Sequence, residues 1–94
     1  MVSLAQQVHP HPEVVDTELE TGETVLLQLT SKTYFSLNPT GTRIWQGVKR
    51  GLTLQVISQQ VQTTFAVDAE HADSSVLAFV HELCQHELAQ VPER

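Results

Sequence analysis

The chain has 94 residues, of which 40% are hydrophobic and 17% are charged, and its formal net charge is −6. A chain of this length supports one modest core, which disfavours an enzyme with a large, deep active site. The composition is typical of a folded domain, and no apolar run reaches the roughly 18 to 20 residues that a membrane span requires. We therefore expect one domain over residues 1–94, with no membrane as a partner.

The N-terminal segment and the cysteine content indicate the compartment. Residues 1–12, "MVSLAQQVHPHP", have neither the basic region nor the apolar core of a signal peptide, and we expect them to form a flexible arm. Cys84 is the one cysteine, so no internal disulfide can form, in agreement with a reducing compartment. These features favour a cytoplasmic protein.

The excess of carboxylates limits the partners that the surface can bind. Eleven Asp and Glu residues oppose five Lys and Arg residues, and the C-terminal half has almost no positive charge. Such a surface repels polyanions, so nucleic acid is a poor partner and a neutral or basic peptide is a better one.

The first half of the chain predicts a small antiparallel meander. Alternating apolar residues separated by turn residues predict strands at residues 13–20, 24–29 and 33–37. Val25, Leu27 and Leu29 share one face of the second strand, and Phe35 and Leu37 share one face of the third. The connecting loops are too short for a parallel return, so the third strand is expected at an edge of the sheet.

Three helices are predicted after the meander. Each follows a residue that favours the helix N-cap, namely Asn38, Thr53 and Asp68. Pro39 occupies the first position of the first helix, and Gly51 is expected to end that helix. The apolar residues at helical spacing are Ile44, Trp45 and Val48 in the first helix and Leu54, Ile57, Val61 and Phe65 in the second.

The third helix is apolar over an unusually wide arc. Val76, Phe79, Val80 and Leu83 share one face, with Leu77, Cys84 and Leu88 beside it. A helix that packs on one core needs only one apolar stripe. The additional stripe therefore either packs on more of the same chain or binds a partner.

Patterns that could support catalysis or metal binding are weak. His9 and His11 lack further ligands nearby, which favours a simple arm over a metal site. His81 and His86 are five residues apart, about 140° around a helix, whereas a zinc-binding H-E-x-x-H motif needs a spacing of four. Nothing evident lowers the pKa of Cys84, and the glycines are too scattered for a phosphate loop. We predict a protein that is not an enzyme and holds no cofactor or metal.

Three strands beside three helices also suggest a winged-helix domain. DNA binding would bring the third helix against phosphates, and this segment carries carboxylates and no Lys or Arg. The carboxylates are Glu70, Asp73, Glu82 and Glu87. A winged-helix DNA-binding regulator and a generic adaptor domain are the two alternative interpretations.

Two segments resemble a known family. These are "VLLQLTSKTYFSLNPTGTRIWQGVKRGLTLQVISQQV" and "VLAFVHELCQHEL", and they resemble the PqqD-like proteins, also called RiPP recognition elements. The family's Y-F-x-L-N-x-x-G-x-x-I-W core is present here as Tyr34, Phe35, Leu37, Asn38, Gly41, Ile44 and Trp45. The resemblance covers about residues 13–88, and it is strongest to the free-standing members of lasso-peptide biosynthesis.

The resemblance implies an α+β, winged-helix-like fold, with a three-stranded antiparallel sheet followed by three helices and no catalytic activity. Its members bind the leader segment of a ribosomally made bacterial precursor peptide as an added β-strand. In lasso pathways they present that precursor to a cysteine-protease-type leader peptidase and an ATP-dependent macrolactam synthetase. The residues expected to bind the leader are Thr33, Tyr34, Phe35, Ser36 and Leu37 of the third strand and Val76, Leu77, Val80, Leu83 and Cys84 of the third helix.

Overall fold

The computed structural model describes residues 3–91 and contains two small sheets and three helices over that range. The strands are β1 (His9–Pro10), β2 (Val14–Glu18), β3 (Thr24–Gln28), β4 (Thr33–Leu37) and β5 (Ala89–Gln90). The helices are α1 (Pro39–Lys49), α2 (Leu54–Phe65) and α3 (Ala69–Gln85). The predicted α+β class, with a three-stranded antiparallel meander followed by three helices, is confirmed. Within residues 3–91, each helix is too short or too polar to cross a membrane.

The three helices begin at the predicted capping residues. In each case the side-chain oxygen of the cap accepts a hydrogen bond from the backbone N–H three residues later: Gly41 for Asn38, Val56 for Thr53 and His71 for Asp68. These bonds satisfy N–H groups that have no partner inside the helix. After α1 the chain turns at Gly51, where a φ of 73° suits a residue without a Cβ.

The core lies between the meander and the helices. Trp45 of α1 and Leu26 of β3 are its largest fully buried side chains, and apolar residues of all three helices surround them. Helices α1 and α2 approach closely at Gly47, where an added Cβ would lie only 2.6 Å from Cγ1 of Ile57. The contact between α1 and α2 is therefore tight at this point, with no room for a larger residue than glycine.

Strand β3 turns its polar residues inward. Val25, Leu27 and Leu29 share one face as predicted, but that face points away from the core, and Leu29 is 44% exposed. The buried face carries Thr24, Leu26 and Gln28.

Hydrogen bonds explain why two polar residues are buried. The hydroxyl of Thr24 donates to the hydroxyl of Thr42 over 2.9 Å. The amide of Gln28 donates to the carbonyl of Glu87 over 2.8 Å, and its oxygen accepts from the N–H of Thr30. Because each of these polar groups has a partner, their burial carries little penalty.

Residues 3–12 pack against the domain in place of the flexible arm that the sequence predicts. Strand β1 pairs with β5 in antiparallel fashion, and Val8 is fully buried in the core. The backbone N–H of Leu54 donates to the carbonyl of Gln6 over 2.9 Å. Backbone bonds to β5 and α2 and the buried side chain of Val8 hold this segment, and their partners are distant in the sequence.

Candidate functional site

Strand β4 forms one edge of the meander, as predicted. The strand order is β2-β3-β4, so β4 pairs with β3 on one side, and the other side has no strand beside it within residues 3–91. An edge of this kind presents unpaired backbone N–H and C=O groups, which can template the addition of another strand.

Two hydrogen bonds reveal which residues of β4 present those groups. The N–H of Leu29 donates to the carbonyl of Glu13, and the N–H of Leu19 donates to the carbonyl of Glu23. Hydrogen-bonded pairs alternate along an antiparallel ladder, so the odd-numbered residues of β3 bond to β2 and the even-numbered residues bond to β4.

The register of β3 with β4 shows which residues of β4 direct their backbone groups toward the open edge. Leu26 is opposite Phe35, so Phe35 and its alternate neighbours Thr33 and Leu37 direct their backbone groups toward β3. Tyr34 and Ser36 therefore direct one N–H and one C=O each toward the open edge. None of these four groups has a hydrogen bond to another part of residues 3–91.

A groove runs between this edge and α3, and we call it the β4–α3 groove. It consists of three depressions. The polar depression, of about 440 Å³, lies at the β3–β4 turn and is lined mostly by polar residues. The central depression has about 140 Å³, and the α1 depression, beside α1, has about 410 Å³. Phe35 and His86 border both the polar and the central depressions. Phe79 and Glu82 border both the central and the α1 depressions.

Aromatic rings define the boundaries within the groove. The rings of Phe35 and His86 have centroids 5.0 Å apart and are tilted by 49°. At the other boundary, the ring of Phe79 lies against the backbone of Gly41 in the first turn of α1. The central depression has an apolar floor, which includes Leu37, Leu83 and Leu88 together with these rings.

The five strand residues expected to bind the leader all belong to β4, at the edge of the groove. Thr33, Phe35, Ser36 and Leu37 line the groove. The side chain of Tyr34 is on the opposite face of the sheet and is 69% exposed. Tyr34 can therefore contribute its backbone to the groove edge, but its side chain lies outside the groove.

The helix residues expected at the site are mostly elsewhere. Leu83 lines the central depression, but Val76 and Val80 are fully buried in the core. Leu77 and Cys84 share the side of α3 that carries Asp73, which accepts a hydrogen bond from Ser58 of α2. The wide apolar arc of α3 thus serves the core and α2, so these four residues do not line the groove.

A mixed stripe of α3 lines the groove instead. Its members lie on one side of the helix, mostly three or four residues apart, and are His71, Ser75, Ala78, Phe79, Glu82 and the C-cap residue His86. Only Phe79 is a large apolar residue, so a search for apolar periodicity misses the stripe. One feature of the sequence could have indicated this stripe. Phe79 directly precedes Val80, so it lies at the margin of the apolar stripe that faces the core.

Cys84 lacks the setting of a nucleophile. Burial raises the pKa of its thiol above the ordinary value, so the thiol stays protonated at neutral pH. Within residues 3–91 no group of three or more His, Cys, Asp or Glu side chains is placed to hold a metal ion. Over the same range, the groove offers backbone groups, apolar surface and the carboxylates of Glu82 and Glu87. This arrangement suits the binding of an extended peptide.

Comparison with known proteins agrees with that geometry. The family profile described as coenzyme PQQ synthesis protein D (PqqD) matches residues 23–89. A solved structure described as TbiB1 in complex with the TbiA(beta) leader peptide is 27% identical, with a TM-score of 0.84. Another, described as lasso peptide synthetase B1 complexed with the leader peptide, is 26% identical, with a TM-score of 0.81. Each alignment covers 92% of this chain and 99% of the other. No curated protein sequence gives a significant match.

Proposed function

Because the chain belongs to the PqqD family, we propose that it binds the leader segment of a ribosomally synthesised precursor peptide of the lasso type. The leader adds a strand to the free edge of β4, and its alternate side chains enter the β4–α3 groove. The observation that carries this proposal is the open backbone edge at Tyr34 and Ser36, directly beside the groove.

Strand addition accounts for the order of the depressions along β4. In an added strand, the residue opposite Phe35 directs its side chain to the same face as Phe35 and therefore into the central depression. The residues two positions away on either side lie about 6.8 Å along the strand, opposite Thr33 and Leu37. Their side chains enter the polar depression and the region beside Phe79.

The proposal includes a role in presentation, with no chemistry by this chain. Binding the leader in an extended form leaves the core segment of the precursor free for processing enzymes. We propose a cysteine-protease-type leader peptidase and an ATP-dependent macrolactam synthetase as those partners. The protonated thiol of Cys84, on the side of α3 away from the groove, supports a binding role.

Titration with the leader of the precursor encoded beside the gene tests the proposal. Ser36→Pro removes an outward N–H and obstructs the docking strand, so we expect it to keep the fold and weaken leader binding at least tenfold relative to Ser36→Ala. Thr33→Pro removes an inward bond to β3, so we expect it to impair folding itself.

Calorimetry measures the affinities, and circular dichroism shows which variants fold. Equal affinity of folded Ser36→Pro and Ser36→Ala would contradict strand addition at β4. Cleavage of the leader by the purified wild-type chain alone would contradict the non-catalytic role.

A further inference from the structure

Glu82 is the carboxylate at the boundary between the central and α1 depressions. Its side chain is exposed, and it forms no ion pair, since the ion pair within residues 3–91 joins Lys49 to Asp16. Its neighbours in the central depression include Phe79 of the same helix and Ser36 of β4 across the groove, neither of which carries a charge. A free carboxylate therefore faces the path of a bound strand.

Within residues 3–91, the groove around Glu82 contains no opposing Lys or Arg. None of the described cations lines any of the three depressions, and the second carboxylate, Glu87, lies at the far end in the polar depression. His71 of α3 is the titratable group that shares the α1 depression with Glu82, and His86 shares the central one. The α1 side of the groove contributes uncharged residues, Asn38 and Thr40 among them.

We infer, on the basis of the proposed function, that Glu82 selects a basic residue at one position of the leader. That position is the one opposite Leu37, two residues from the side chain that fills the central depression. The alkyl stem of a Lys or Arg there packs against the ring of Phe79 while its charge pairs with Glu82. An acidic residue at the same position meets the carboxylate directly and is repelled.

Glu82 selects a basic residue at one leader position only. This distinguishes its effect from the general attraction of basic peptides by the net charge of −6. General attraction favours a cation anywhere along the leader, and salt screens it similarly at each position. Pairing with Glu82 favours a cation at the position beside Phe79 alone. Charge substitutions along the leader therefore distinguish the two effects.

The test uses synthetic leader peptides that carry Lys or Glu in turn at each residue of the bound segment. With the wild-type protein at low salt, we expect one position at which Lys binds about tenfold more tightly than Glu. We expect Glu82→Gln to abolish that preference and Glu82→Lys to reverse it. Glu20→Gln removes the same charge from the β2–β3 turn, away from the groove, and should leave the preference unchanged.

The possible outcomes separate this inference from the proposed function. A preference that survives in Glu82→Gln, or a wild-type protein with no position-specific preference, overturns the role of Glu82 while leader binding itself stands. Failure of every peptide to bind the wild-type protein overturns the proposed function and this inference with it.

Discussion

Gly41 of α1 and Phe79 of α3 are in direct contact at one boundary of the groove: a Cβ at position 41 would lie 3.0 Å from both Cε1 and Cζ of the Phe79 ring. The backbone of Gly41 is helical, so the turn itself does not require a glycine. The physical reason for glycine in the N-x-x-G segment of this chain is the space that the ring occupies.

Gly41→Ala should therefore alter binding more than folding. Alanine favours the helix, which offsets part of the steric cost, and the half-buried ring of Phe79 can move toward the groove. We expect the free energy of unfolding to change by less than about 1 kcal/mol, while the displaced ring weakens leader binding. Calorimetry measures the affinity. In a Phe79→Ala background, Gly41→Ala should have a smaller effect on affinity than in the wild type, and an undiminished loss of affinity there would contradict the proposed contact.

Phe79 and Leu77 form a matched pair on α3, because both are half-buried apolar side chains but only Phe79 borders the groove. We expect Phe79→Ala to weaken leader binding by about tenfold or more, as for the anchor residues of other interfaces. We expect Leu77→Ala to lower stability while preserving affinity. Chemical denaturation and titration measure the two effects separately. Comparable losses of affinity in both variants would show that the groove extends beyond the stripe described above.

Neighbouring leucines of β3 should differ sharply in their contribution to stability. Leu26 is fully buried in the core, whereas Leu27 lies on the outer face of the sheet. We expect Leu26→Ala to reduce the free energy of unfolding by about 2 to 5 kcal/mol and Leu27→Ala to reduce it by less than about 1 kcal/mol. Urea denaturation provides the measurement. The reverse order would mean that the face of β3 is assigned incorrectly.

Ionisation of Asp16 should make the free energy of unfolding decrease at acid pH. Burial raises the pKa of its carboxyl, but hydrogen bonds from Lys49 and Trp45 and the charge of Lys49 lower it by more, so the pKa lies below the ordinary value of 3.8. Because the pKa is lower in the folded state, the ionised carboxylate stabilises the fold at pH values above the unfolded-state pKa. This stabilisation is lost as the pH falls through the folded-state pKa.

We expect Asp16→Asn to reduce stability by about 1 kcal/mol at pH 7, because the ion pair is partly exposed. The Asn oxygen can still accept from the indole of Trp45, so the loss reports mainly the charge pair with Lys49. The difference from wild type should shrink as the pH falls below 3.8, the ordinary value for this group. Thermal unfolding from pH 7 to pH 3 measures it, and a difference that is constant over this range would contradict the ion pair.

The sequence alone predicted the fold class, and it placed the three strands of the meander and the three helices in order and to within a few residues, but it did not predict β1 or β5. The features that it predicted depend on local interactions. The capping oxygens of Asn38, Thr53 and Asp68 bond only three residues away, and the short loops of the meander permit only antiparallel pairing. The position of β4 at the sheet edge followed from the same connectivity.

The tertiary structure decided which faces of those elements meet. Thr24 and Gln28 occupy the inner face of β3 because Thr42 and Glu87, distant in sequence, supply hydrogen bonds there. Residues 3–12 are held by backbone bonds to β5 and α2 and by the burial of Val8, and these partners lie far away in the sequence. Helix α3 divides its surface among the core, α2 and the groove, so its apolar residues could not by themselves indicate which stripe would face a peptide. The periodicity of apolar residues indicates that one face of an element is buried. Which surface covers that face depends on contacts between residues far apart in the chain.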